Sequence, residues 1–160
     1  MNILDCVTYF DEETLLEMRL NILNDYVTKF IITEGGYDHR GKKRSLNFDI
    51  NMYPKFKDKI IYQPVYDFPD LENPWSMLEY QRNYSMKEIA NFDDDTYVIV
   101  SDVDEIPNPK KINEFINSKS KFGVFEQLLF YYKLNMLSTS SQNWFGSKIC
   151  LKKILNHLIG

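Results

Sequence analysis

The run Thr96-Tyr97-Val98-Ile99-Val100 constrains this chain more than any other segment, because it leads without a break into Ser101-Asp102-Val103-Asp104-Glu105. A short apolar stretch rich in β-branched residues reads as a strand buried on both faces, the kind found in parallel sheets. The segments around it alternate strand and helix patterns. Ile3 to Phe10 reads as a first strand, with Val7, Thr8, Tyr9 and Phe10 all favouring β structure. Asp11-Glu12-Glu13 then puts carboxylates where a helix N-terminus accepts them, and Thr14 with Glu17 offers an alternative capping box. Leu16, Leu20 and Leu23, flanked by Leu15 and Ile22, form one apolar stripe at helical spacing. Phe30-Ile31-Ile32-Thr33-Glu34, ended by Gly35-Gly36, reads as a second buried strand parallel to the first.

A basic loop follows, Tyr37 to Arg44, and Lys59 to Tyr66 is a third strand candidate. Ser76 with Glu79 forms a capping box for a helix running to about Phe92, after a loop from Pro69 to Pro74. Asp93-Asp94-Asp95 is a solvated turn before the central strand. Asn108-Pro109 caps a further helix with Ile112, Phe115 and Ile116 on its apolar face. Phe122 to Leu134 reads as one long aromatic strand, and Ser138 to Asn143 as a polar loop leading to Trp144-Phe145-Gly146. A short strand and a helix ending at Ile159 close the chain. The order β-α-β-β-α-β-α-β, with no repeat and no linker, predicts a single domain over 1–160, of α/β class with a mostly parallel sheet.

Composition narrows the function little. The 160 residues suffice for one buried core, and 44% apolar with 26% charged residues is ordinary for a globular protein. A net charge of -4 speaks against a nucleic-acid binder, which normally carries a basic face. The 11 Tyr and 11 Phe suit stacking on sugar rings, but core packing is the commoner use of such residues. Cys6 and Cys150 have no metal-ligand spacing, and His39 and His157 stand alone, so neither pair suggests zinc. The opening residues lack a basic-then-apolar signal segment, and no apolar run approaches the roughly 18 residues of a membrane span. The expectation is a chain without a membrane span, cytoplasmic or peripheral.

Asp102 and Asp104 carry the chemistry. In an open α/β sheet, ligands bind beyond the carboxyl ends of the strands, where this pair stands. Two carboxylates one residue apart repel unless a cation joins them. A hard divalent ion, Mn²⁺ or Mg²⁺, takes oxygen ligands, keeps positions open for phosphate, and neutralises charge on a departing diphosphate. An Asp-x-Asp also occurs as mere decoration of a turn, so its place after the most apolar strand matters more than the motif itself.

The surrounding residues supply a second argument. Phe10-Asp11-Glu12 with Leu15 to Asn21, Phe30 to Glu34, Lys57 to Tyr62, Trp75 with Glu79-Tyr80-Gln81-Arg82-Asn83, and Val98 to Pro107 together resemble glycosyltransferase family 17. The resemblance runs from about Ile3 to Trp144-Phe145-Gly146. It implies a GT-A-type nucleotide-sugar-binding fold, a UDP-sugar donor (UDP-GlcNAc), a glycan acceptor, inverting transfer and a divalent cation at the Asp-x-Asp. It further implies that Asp102 and Asp104 hold the metal and, through it, the diphosphate. Glu34 would lie near the uridine, and Arg82 would reach the nucleotide or the site carboxylates as a bidentate donor. Arg40, Lys42, Lys43 and Arg44 would either steer a diphosphate or form a solvated loop. Trp144 is a candidate sugar platform or a buried anchor.

Two departures accompany the resemblance. Animal members carry an N-terminal membrane anchor, and relatives continue well beyond Trp144-Phe145-Gly146. Inverting transfer needs a carboxylate base, and Glu126 is the only acid after Glu114, a weak candidate within an aromatic strand. A donor-binding module with little transfer activity is therefore one alternative. Another is a haloacid-dehalogenase-like phosphatase, in which the first Asp is a nucleophile. Glu105-Ile106 fits that pattern badly, since Gly-Thr or Gly-Val is expected there.

Overall fold

The structure, a computed structural model, describes residues 1–130, 136–140 and 143–158, with side chains through 155. The chain opens with β1 (Ile3–Tyr9), α1 (Glu13–Leu23), β2 (Lys29–Gly35) and β3 (Ile60–Val65). It continues through α2 (Pro74–Tyr84), α3 (Met86–Ile89), β4 (Tyr97–Asp102) and α4 (Pro109–Asn117). The last elements are β5 (Phe122–Val124), β6 (Gln127–Leu128), β7 (Asn143–Trp144), β8 (Lys148–Leu151) and α5 (Lys152–Leu158).

One six-stranded sheet has the order β3-β2-β1-β4-β8-β5, and β6 pairs with β7 in a separate two-stranded ribbon. β1, β2, β3 and β4 are mutually parallel, as their apolar runs predict, and β8 runs antiparallel to both β4 and β5. Helices cover both faces, which explains why the strands are apolar throughout rather than alternating. Val7, Ile32 and Ile99 pack with Leu16, Leu20 and Leu23 of α1 and Ile112 of α4. Leu4, Cys6, Ile31 and Val98 pack on the opposite face with Ile89 of α3 and Leu155 of α5. The register aligns Gln63, Thr33, Thr8 and Asp102 in one row near the carboxyl edge.

Helix boundaries depart from the sequence reading where side chains choose other partners. The Thr14–Glu17 box does not cap α1. Glu12 stands at that cap position, and its carboxylate turns back to accept from the amides of Phe10 (2.9 Å) and Asp11 (3.2 Å). α2 starts at Pro74 rather than Ser76, because Asn73 accepts from the amides of Trp75 (3.0 Å) and Ser76 (3.3 Å). The helix expected to reach Phe92 breaks at buried Ser85, whose hydroxyl donates to the Arg82 carbonyl at 2.9 Å.

The long strand expected over 122–134 also breaks. Phe125 is buried and its amide donates to the Ser147 carbonyl (2.9 Å), while the Gln127 amide side chain donates to the Ile106 carbonyl (3.0 Å). The chain thereby leaves the sheet, pairing with Asn143 and Trp144 instead; residues 131–135 lie outside the described residues. The polar loop expected over 138–143 falls partly there too, since 141–142 are outside.

Among the described residues no helix is long and apolar enough to cross a membrane. Cys6 and Cys150 are both free and buried in the same cluster. Burial pushes the Cys150 thiol up to about 11. Burial and then the charge of Asp5 push Cys6 higher still. Both thiols stay protonated at neutral pH, so a thiol-exchange reagent at pH 8 is expected to label them about 100-fold more slowly than a free thiol. Labelling at the free-thiol rate in the folded protein would contradict this packing.

Candidate active site

The carboxyl end of β4 is held by a group that is not itself at the surface. Arg19, fully buried on α1, makes a two-pronged ion pair with fully buried Asp5 of β1, each contact 2.7 Å. Its remaining N–H groups reach the next segment of chain. They donate to the Ser101 hydroxyl (2.6 Å) and to the carbonyls of Asp102 (3.0 Å), Val103 (3.4 Å) and Glu105 (3.1 Å). Carbonyls leaving a strand end have no ladder partner, and one guanidinium satisfies three of them at once. Val103 is buried beneath the turn, which leaves Asp102 and Asp104 on the solvent side.

Asp102 faces α2. Its Oδ1 accepts from Arg82 Nη2 at 2.7 Å and from the Thr8 hydroxyl at 3.3 Å. The Arg82 and Asp102 side chains remain 37% and 43% exposed, so the ion pair is open to ligand and solvent. The expected bidentate contact is a single bond here, and the Arg82 Nε is buried without a partner. The Asp104 carboxylate makes no hydrogen bond or ion pair among the described residues. Both acids line one cleft of about 290 Å³, together with Thr8, Phe10, Glu12, His39 and Gln81.

A second cavity, of about 340 Å³, lies on the other side of Asp102 and is lined by Arg82, Glu105, Trp144, Phe145 and Lys148 among others. Glu105 closes the turn between them. Its Oε2 accepts from the Asp102 amide at 3.0 Å, and its Oε1 accepts from the indole N–H of Trp144. The Ser147 hydroxyl donates to the Glu105 carbonyl at 2.8 Å. A Cβ at Gly146 would sit 1.7 Å from Glu105 Oε1, so only glycine permits this approach.

The structure does not bring every sequence candidate to this place. Glu34, expected at the nucleotide, is fully buried and lines neither cavity. Its oxygens accept from the amides of Asn47 (2.7 Å) and Phe48 (3.1 Å), from the Tyr62 hydroxyl (2.8 Å), and pair with Arg44 (3.2 Å). Burial and the Glu34 contact raise the Tyr62 phenol above its ordinary value, so it remains a donor. The strand-end acid is an anchor for the loop after β2, not a group facing the cleft. Of the basic run, Arg44 turns inward over the Phe10 ring at 3.8 Å, while Arg40, Lys42 and Lys43 stay exposed. Glu126 accepts from Asn143 at 2.5 Å and lines a separate groove of about 770 Å³, which shares no lining residue with either cavity at Asp102. Trp144 is 45% exposed, which makes it a rim residue of the second cavity rather than a buried anchor. The side chain of His157 lies outside the described residues.

Sequence reasoning missed Arg19, Asp5 and Glu105. The signal for Arg19 was present, because a charge at position 19 interrupts the Leu16-Leu20-Leu23 stripe on its own face. Asp5 likewise interrupts an apolar strand. Charges at two core positions imply a buried pair.

These features define an α/β protein whose acids and cations gather beyond the carboxyl ends of parallel strands, the crevice where open sheets take ligands. A sequence model for glycosyltransferase family 17 matches residues 1–123, and the chain belongs to that family. Membership implies glycosyl transfer, with a sugar donor and an acceptor, and sets the phosphatase alternative aside. The match includes β1 through β4 and the whole Asp102–Glu105 turn, while Trp144-Phe145-Gly146 lies beyond it. No curated protein matches the chain.

Breaking the buried pair should unfold the site from beneath. Arg19→Ala leaves Asp5 buried and uncompensated, and is expected to lower stability by about 3–5 kcal/mol in urea denaturation. Arg19→Lys should recover little, since an ammonium cannot reach Asp5 and three carbonyls together. Near-native urea midpoints for both variants would refute the role given to Arg19.

Proposed function

We propose that the chain transfers a sugar, an N-acetylhexosamine, from a UDP-sugar to a glycan hydroxyl with inversion, on a GT-A-type sheet and with a divalent cation at Asp102 and Asp104. The observation that carries this reading is that both acids line one cleft at the end of β4, with Arg82 beside them and a second cavity adjoining.

The donor set suits a hard cation that arrives with phosphate. Among the described residues no group of three or more His, Cys, Asp or Glu converges as a cage. Two carboxylates are what Mg²⁺- and Mn²⁺-type sites use when substrate phosphates and water complete the shell. Asp104 is unengaged, and Asp102 keeps one oxygen outside its contacts with Arg82 and Thr8. When bound, the ion supplies Lewis-acid stabilisation of charge on the leaving diphosphate.

The chain's own residues supply the rest. Arg82 brings a fixed positive charge beside Asp102, and the exposed part of its guanidinium offers N–H donors to an incoming phosphate or sugar oxygen. Arg19 holds the backbone of the turn beneath both acids through the carbonyls of Asp102 and Glu105. Both Glu105 oxygens accept N–H bonds, one from the Asp102 amide and one from Trp144, so this carboxylate ties the turn to the aromatic rim.

Calorimetry of UDP-GlcNAc with and without Mn²⁺ tests the reading. Mn²⁺ is expected to raise affinity by about 10- to 100-fold, and Asp104→Ala to remove that gain. Binding indifferent to both the ion and the substitution would rule out this site.

A further inference from the structure

We infer that Glu105 positions Trp144 as a platform for a pyranose ring at the cavity beside Asp102 and Arg82. This rests on the transferase reading above and adds to it the residue that orders the sugar side of the site.

The segment 144–147 is fastened to the Asp102 turn through one residue. Trp144 bonds to the Glu105 carboxylate, Ser147 to its carbonyl, and Gly146 packs against Oε1 so closely that no side chain fits. Glu105 is in turn fixed by its bond to the Asp102 amide and by Arg19 on its carbonyl. The indole is thereby set relative to Asp102 even though 39 residues separate Trp144 from Glu105. Trp144 and Phe145 are 45% and 56% exposed and line the same cavity as Arg82, Asp102 and Lys148.

That lining has the chemistry of a sugar subsite. A pyranose presents an apolar C–H face and a rim of hydroxyls. The aromatic pair suits the face, and the Asp102, Arg82 and Lys148 groups suit the rim. The volume, about 340 Å³, lies within the range of small-molecule sites.

The requirement for a carboxylate at 105 is specific. Both oxygens accept, one from a backbone N–H and one from an indole N–H. An amide of the same size has one acceptor oxygen, so Glu105→Gln sets its NH₂ against one of the two donors. Trp144→Phe removes the other end of the same bond while keeping an aromatic ring. The two substitutions should therefore act as one.

The experiment is calorimetry in Mn²⁺ with three probes: UDP, UDP-GlcNAc, and a free mannose trisaccharide added in the presence of UDP. Urea midpoints accompany each variant to confirm folding. Wild type should gain affinity from a sugar ring, seen with UDP-GlcNAc if the platform takes the donor sugar and with the trisaccharide if it takes the acceptor. Trp144→Phe should shrink that gain by roughly 3- to 10-fold, the size of one aromatic contact, and leave UDP alone within about twofold, and Glu105→Gln should shrink it by at least as much. The double variant should fall no further than the worse single one. Equal weakening of UDP and UDP-GlcNAc by Trp144→Phe, no change in either, or strictly additive losses would overturn the inference while leaving the Asp102–Asp104 site intact. If wild type ignores UDP yet binds the trisaccharide through Glu105 and Trp144, the donor reading fails and the platform stands. If no probe binds, both fail.

Discussion

The Asp5–Arg19 pair is the constraint on which the rest of the molecule depends. Burying two charges is costly, and such a pair persists only when every donor and acceptor is used. Here the guanidinium spends its fork on Asp5 and its other N–H groups on Ser101 and the turn carbonyls of Asp102, Val103 and Glu105. A core helix, the central strand and the acidic turn are thus joined through one side chain. The geometry of the exposed acids is a property of the interior.

That arrangement separates two jobs. Asp102 and Asp104 face solvent and remain available, while shape is fixed by groups that no ligand touches. Glu105 extends the same principle outward by tying the 144–147 segment to the turn. Two cavities then flank a single acid, one walled by the β1 end and one by the aromatic rim.

Much of this was legible in the sequence. The strand over 96–100, the leucine stripe of α1 and the Asn108-Pro109 cap were read correctly, because each depends on neighbours within about four residues. The family followed from separated motifs in a fixed order. What escaped was long-range. Glu34 looked like a ligand group because strand ends usually face the crevice, yet the loop from Arg44 to Phe48 folds over it and uses its oxygens. The aromatic run from Phe122 looked like one strand because its composition is uniform, and nothing local announces that Ser147 and Ile106 will draw it off the sheet. Glu105 looked like part of an acidic cluster, and only the fold reveals its partner on a distant segment.

The position of β8 has a consequence for how the molecule is assembled. This strand, which follows β5 in sequence, inserts between β4 and β5 rather than adding to an edge. Until residues 148–151 are in place, the flank of β4 away from β1 stays open, and β5 has no ladder to join among the described residues. Closure of the sheet is therefore a non-local event that brings together segments about 50 residues apart. Before it happens, Val98 and Val100 lie along an unpaired border, the kind of surface on which incompletely folded chains associate. The strand that ends in the acidic turn is thus sealed on its second side by a segment synthesised about 50 residues after it.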